Sequence, residues 1–191
     1  MGQFELYFRL GTNHILDLAG FDHILFVLVL CSIYTLNDWR KILLLITAFT
    51  IGHSLTLALA TFQLITIHSD LVEFLIPVTI AITAFGNLLN LKIAVGRKLN
   101  YFFALFFGLI HGLGFSNYLK ALLGNEESLL NPLFAFNLGL EAGQLLIVVF
   151  FLIFSLLPLK IFKVNQKQWT RVVSAIILGM AIMMIVEKIF W

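Results

Sequence analysis

The sequence predicts an all-α, polytopic transmembrane helix bundle of six spans with an N-terminal interfacial helix, and three observations predict it. Of 191 residues, 61% are hydrophobic and 12% charged, with a mean hydropathy of +1.02. Soluble domains run at about 45–50% apolar and about 25% charged, so this chain lacks the polar surface to cover a water-facing globule. Its charged residues and turn formers are spaced to leave six apolar stretches of about 20 residues, the length that crosses roughly 30 Å of hydrocarbon. No stretch shows the strict alternation of a barrel strand, and lipid offers backbone groups no partner outside a helix. A soluble enzyme, a disordered region and a nucleic-acid binder are excluded. Residues 1–191 read as a single integral membrane domain, without an internal repeat or a linker.

The elements follow in order. Residues 3–16 place Phe4, Leu6, Tyr7, Phe8 and Leu10 around Glu5 and Arg9, the pattern of an interfacial helix. The spans are expected at 19–36, 42–65, 71–91, 99–122, 130–158 and 169–190. Asp70, Glu73 and Lys92 bound the third, and Gly96, Arg97 and Lys98 precede the fourth. The fifth follows the turn at 124–128 and Pro132, and Pro158 tails it. The first nine residues have no basic start and no apolar run of signal-peptide length, so no cleavable signal peptide is expected. Cys31, the single cysteine, cannot form an internal disulfide.

Lysine and arginine set the orientation. Nine lie in the first, third and fifth connections: Arg40 and Lys41; Lys92, Arg97 and Lys98; Lys160, Lys163, Lys167 and Arg171. Three lie on the other side: Arg9, Lys120 and Lys188. Positive residues concentrate on the cytoplasmic face, so both termini are expected outside.

The informative residues are the ionisable ones inside spans, where a charge costs at least about 2.5–3.5 kcal/mol unless it pairs, binds a metal or meets water. His53, His111 and Glu141 fall near the middle of the second, fourth and fifth spans. Asp22 and His23 open the first span, about 7 Å nearer the outer surface at 1.5 Å per residue, with His14 one short segment earlier. Asn137, Glu141 and Gln144 share a helix face at i, i+4 and i+7. Thr47, Thr50 and Ser54 form a stripe beside His53, and Thr79, Thr83, Asn87 and Asn90 line the third span. Gly108 and Gly112 flank His111 and permit a close neighbouring helix. His68 in the outer loop is expected to be solvated, and Asp17 and Glu73 sit near the interface.

A lone histidine in a helix is most often a packing residue, but three histidines and two carboxylates inside one small bundle are harder to explain that way. Imidazole and carboxylate together suit Zn, Ni, Co or Fe, and the lack of cysteine ligands argues against Cu(I) and iron–sulfur chemistry. The cofactor expected is therefore a divalent transition metal (Ni, Co or Zn).

Four segments carry a resemblance to a known family: His14 with Phe21-Asp-His-Ile-Leu-Phe26, then Phe49-Thr-Ile-Gly-His-Ser-Leu-Thr56, then Phe107-Gly-Leu-Ile-His-Gly-Leu-Gly-Phe115, then Phe136-Asn-Leu-Gly-Leu-Glu-Ala-Gly-Gln144. The chain resembles the HupE/UreJ proteins of bacterial membranes, associated with hydrogenase and urease maturation. The resemblance implies six or more helices, a place in the bacterial inner membrane and passage of Ni²⁺, with an Asp-His pair in the first helix needed for transport. It carries over His14, Asp22 and His23 as metal-handling residues. Seven residues separate His14 from Asp22 where five are usual, and His111 stands alone, which marks a divergent branch.

Two functions from different classes follow. The first is a Ni²⁺ or Co²⁺ permease: Asp22, His23 and His14 capture the ion, and His53, His111 and Glu141 form a mid-membrane site surrounded by Ser54, Asn87, Asn137 and Gln144. No ATP-binding Gly-x4-Gly-Lys-Ser/Thr motif is present, so such transport is facilitated or coupled to an ion gradient. The alternative is an intramembrane zinc-dependent hydrolase in which Glu141 or Asp22 is the general base for a metal-bound water. An accessory subunit with a structural metal ranks third. The expected partners are a metal ion and membrane lipid, with a homo-oligomer left open and no nucleic acid.

Overall fold

The computed structural model of the chain describes residues 2–90, 97–123 and 129–189. Its helices are α1 (Gln3–Leu16), α2 (Asp22–Cys31), α3 (Trp39–Thr61, entered through a 3₁₀ turn at Leu36–Asp38), α4 (Ser69–Leu88), α5 (Arg97–Gly114), α6 (Ser116–Leu123), α7 (Leu130–Leu156, continued by a π-helical turn at Leu157–Ile161) and α8 (Gln166–Glu187). Among the described residues there is no strand, as the all-α expectation requires. Leu36–Thr61, Ser69–Leu88, Leu130–Ile161 and Gln166–Glu187 are long and apolar enough to cross a membrane; Asp22–Cys31 and Leu99–Gly114 are shorter apolar helices. The expected span at 99–122 is divided at Phe115 into α5 and α6. Lys92 and the 124–128 turn, used above as span boundaries, lie outside the described residues, as do the side chains of Arg97, Lys98 and Lys120.

The largest interfaces pair α3 with α5, α1 with α7 and α4 with α8. Small residues make the first two possible. A Cβ on Gly108 would land on the Phe49 carbonyl, and one on Gly112 on the His53 carbonyl, so this small-xxx-small pair brings α5 against the α3 backbone beside both histidines. Between α1 and α7, Gly11 meets the Phe136 carbonyl and Gly139 meets the Phe8 carbonyl, while Thr12 Oγ1 lies 3.1 Å from the Gly139 carbonyl oxygen.

This second interface corrects the expectation of an interfacial helix at 3–16. The amphipathic pattern is real: Arg9 and Glu5 pair at 2.7 Å on the exposed side, and Tyr7, Gly11 and Ile15 are buried. The buried side, however, packs on another helix. Moreover, α1 and α2 follow one another along the same partner. Phe8 and Thr12 meet Gly139 and Ile15 meets Gly143; Leu25 and Leu28 then line a cavity with Ile147 and Phe151 of α7. Residue numbers rise together along both chains, so α1 and α2 form a discontinuous helix beside the continuous α7.

Local chemistry makes the break. The Asp17 backbone is extended (φ −65°, ψ 118°), and its Oδ1 accepts from the Ala19 N–H at 2.9 Å, an Asx turn that competes with helix continuation. Helix α2 restarts at Asp22. It has ten residues, about 15 Å of helix, so its C-terminal end is buried and its last carbonyls need partners. Side chains supply them: Asn87 Nδ2 donates to the Val29 carbonyl at 2.8 Å, Thr170 Oγ1 to that of Ser32 at 2.7 Å, and Gln166 Nε2 to those of Ser32 and Tyr34.

Candidate metal centre

The helix break delivers Asp22 and His23 into the interior rather than to the outer end of a span. There His23, on the first turn of α2, meets His14 from the last turn of α1, His53 of α3 and His111 of α5. Ring centroids lie 4.8 Å apart for His14–His23, 5.6 Å for His23–His53, 6.1 Å for His14–His53 and 5.2 Å for His23–His111. His53 and His111 are fully buried and His23 is 4% exposed.

Hydrogen bonds fix which nitrogens remain available. Asp22 Oδ1 accepts from the His23 backbone N–H at 2.8 Å and from the His23 Nδ1–H at 2.9 Å. A carboxylate only accepts, so the proton sits on Nδ1 and the lone pair on Nε2, the arrangement that orients metal-binding imidazoles. Asp22 also lies in the first turn of α2, where the helix dipole favours its negative charge. Thr79 Oγ1 has one proton and lies 2.7 Å from the Ile76 carbonyl oxygen. With that proton donated to the carbonyl, Thr79 accepts from the His111 Nε2–H at 3.0 Å, which leaves the His111 lone pair on Nδ1.

His14 Nε2, His23 Nε2, both nitrogens of His53 and His111 Nδ1 are buried without a hydrogen-bond partner. Leaving a buried polar atom unsatisfied costs about 1–3 kcal/mol, and here five such atoms gather in one place. A bound ion or buried water shared by them would satisfy these atoms. Donor atoms of His14, His23 and His53 lie within 4.8 Å of one another. Two nitrogens at about 2.1 Å from one ion are at most about 4.2 Å apart, so small side-chain rotations close the set.

Aromatic rings bound the centre. Phe115 lies 3.9 Å from His14 between centroids and stacks on Phe136. Phe26 and Phe49 lie 4.8 and 5.2 Å from His111 and 4.8 Å from each other, and Phe107 packs on Phe26 at 6.0 Å. Phe26, Phe49 and Phe107 sit one turn from His23, His53 and His111 on the same three helices. In the direction each helix runs, all three lie on the side of the histidines away from α4's N-terminal end. On the opposite side a cavity of about 320 Å³ opens; it is lined by His14, Asp22, His23, His111, Asp17, Glu73 and Lys188, among others.

Sequence and structure differ at several residues. The expected separation of an outer Asp22/His23 pair from a mid-span site does not hold, because depth was counted along a continuous helix. Glu141 is not brought to the histidines. Its Oε1 accepts from Thr47 Oγ1 at 2.8 Å, and it lines a different cavity, between α3 and α7, with Ser54 and Asn137. Gln144 accepts from Thr50 at 2.7 Å, and Asn87 serves the C-terminal end of α2. Ser54 and Asn137 thus line the cavity between α3 and α7, and these hydrogen bonds of Asn87 and Gln144 go to residues other than the histidines. His68 is exposed, as expected. Thr79, which holds His111, and Phe115 were not singled out as site residues. Thr79 carried a signal, being one of the polar positions on the third span, but its partner is 32 residues away.

The family model described as HupE / UreJ protein matches residues 1–191. No curated protein and no solved structure matches the chain. The chain belongs to the HupE/UreJ family and is a multi-pass membrane protein.

Proposed function

We propose that this HupE/UreJ protein is a permease for a transition-metal dication, Ni²⁺ or Co²⁺, and that His14, His23, His53 and His111 hold the ion on its way through the membrane. The observation that carries this reading is that His14, His23 and His53 bring donor nitrogens within 4.8 Å of one another, with buried, unpartnered nitrogens on all three rings and on the neighbouring His111. Neutral imidazole is a ligand for first-row transition metals and a poor one for Mg²⁺ or Ca²⁺. Asp22 supplies a nearby negative charge through His23 without filling a ligand position. Conduction requires binding weak enough to permit release, and a mainly neutral ligand set meets that requirement.

The architecture supports transport. Broken helices that present a half-helix terminus at a buried site are a recurring device of transporters, and here α1 and α2 do so. Counted as one crossing, they give six crossings with α3, α4, α5, α7 and α8. With lysine and arginine concentrated on the inner connections, both termini then face outward in a bacterial inner membrane. The cavity opens outward on this reading, and Phe26, Phe49 and Phe107 close the path inward, a hydrophobic constriction of the kind that gates pores.

The hydrolase reading needs a carboxylate to act on a metal-bound water. Glu141 lines another cavity, which leaves that role to Asp22, whose Oδ1 is engaged by His23 and which lines the histidine cavity. Uptake of radioactive nickel into vesicles tests the proposal. Wild-type chain is expected to raise uptake above empty vesicles and His23→Ala to abolish the increase. Purified protein retaining close to one tightly held zinc per chain, with no nickel uptake, would favour the hydrolase.

A further inference from the structure

The cavity that reaches the histidines has a charged mouth. Asp17 lies on the turn between α1 and α2, Glu73 on the first turns of α4, and Lys188 just beyond α8; together with Asp22 they line the same cavity as His23 and His111. Glu73 Oε2 and Lys188 Nζ are 2.5 Å apart, each side chain 47% exposed. With the histidines neutral, three carboxylates face one ammonium, and the uncompensated charge equals that of one dication. Deeper in the cavity, His23 is nine-tenths buried or more, with Nε2 unpartnered. An oxygen-rich, partly hydrated outer ring thus leads to a nitrogen floor. Hydrated dications meet carboxylates readily, whereas imidazole requires partial loss of water.

We infer that Asp17 and Glu73 form a capture site for a divalent cation at the mouth of the histidine cavity, and that Lys188 sets its selectivity by occupying Glu73 until a cation of higher charge displaces it. This rests on the permease reading of the histidine centre. Lys188 acts as a tethered monovalent competitor. Sodium and potassium gain nothing by replacing an ammonium of equal charge, while a dication gains from both carboxylates. Steering by such a mouth shows in association rates and weakens with ionic strength.

The test uses the full chain in detergent with Ni²⁺ alone as probe, and measures both stoichiometry and association rate. Lys188→Met is expected to raise the association rate about threefold and make it more sensitive to KCl; Glu73→Gln is expected to lower it about threefold. Both variants should keep the wild-type far-ultraviolet circular dichroism, which reports that the fold is intact. The double exchange Glu73→Lys with Lys188→Glu preserves the pair and should return the rate to within about twofold of wild type. Wild-type binding with unchanged rates in both single variants overturns the capture site and leaves the histidine centre standing. Absence of Ni²⁺ binding by wild type strikes the histidine centre itself, and the capture site falls with it.

Discussion

Two polar regions interrupt this apolar bundle, and they are built differently. In the cleft between α3 and α7, Thr47 donates to Glu141 and Thr50 to Gln144, so the polar groups largely satisfy one another; Asn137 Oδ1 is the buried side-chain atom there without a partner. In the histidine cavity, Asp22 and Thr79 each take up one ring N–H, and this leaves the opposite nitrogens of those rings facing inward with nothing to bind. Both regions carry groups that are costly in lipid. The difference teaches that polarity within a span does not by itself mark a ligand site. On the reading proposed above, unmet hydrogen-bonding capacity does, especially where a neighbouring residue fixes the orientation of the unmet atom.

The comparison can be broken by substitution, and the expected effects on Ni²⁺ affinity of the purified chain decrease in a definite order. His23→Ala removes the ring that neighbours His14, His53 and His111 and should weaken binding by more than about a hundredfold. Asp22→Asn keeps an acceptor for Nδ1–H but loses the charge that strengthens the imidazole as a ligand, and losses of about 10–100-fold are usual for such partners. Thr79→Val strips the acceptor from His111 Nε2–H and should cost about tenfold, at the low end of that range because His111 lies at the edge of the set. Glu141→Gln retains an oxygen for Thr47 and should leave affinity within about twofold, a change within ordinary experimental scatter. Equilibrium dialysis with nickel quantification orders all four. A Glu141→Gln loss as large as that of His23→Ala would join the two regions into one site and undo the contrast.

Much of this was legible in the residues. Apolar runs of span length identify α3, α4, α7 and α8 because lipid imposes both length and composition. His53 and His111 stand out because ionisable groups are rare at that depth. Gly108 and Gly112 marked the close approach of a neighbouring helix, which is α3. The discontinuity of the first helix was not legible: Glu5 and Arg9 give α1 the pattern of a surface helix, and only the seating of Gly11 and Gly139 against opposing carbonyls shows that α7 covers its other side. Reading depth from Asp22 along an unbroken span then placed the Asp-His pair too near the surface. Glu141 failed for a related reason. An i, i+4 relation to Asn137 fixes which face of its own helix it occupies, but says nothing about which neighbour that face meets.

X-ray absorption at the nickel edge of the loaded, purified chain tests the central claim most directly. The account predicts a first shell dominated by imidazole nitrogens at about 2.0–2.1 Å, the distance typical of histidine bound to a first-row dication, with His23→Ala removing at least one of them. A shell of oxygens alone, identical in wild type and His23→Ala, would contradict it.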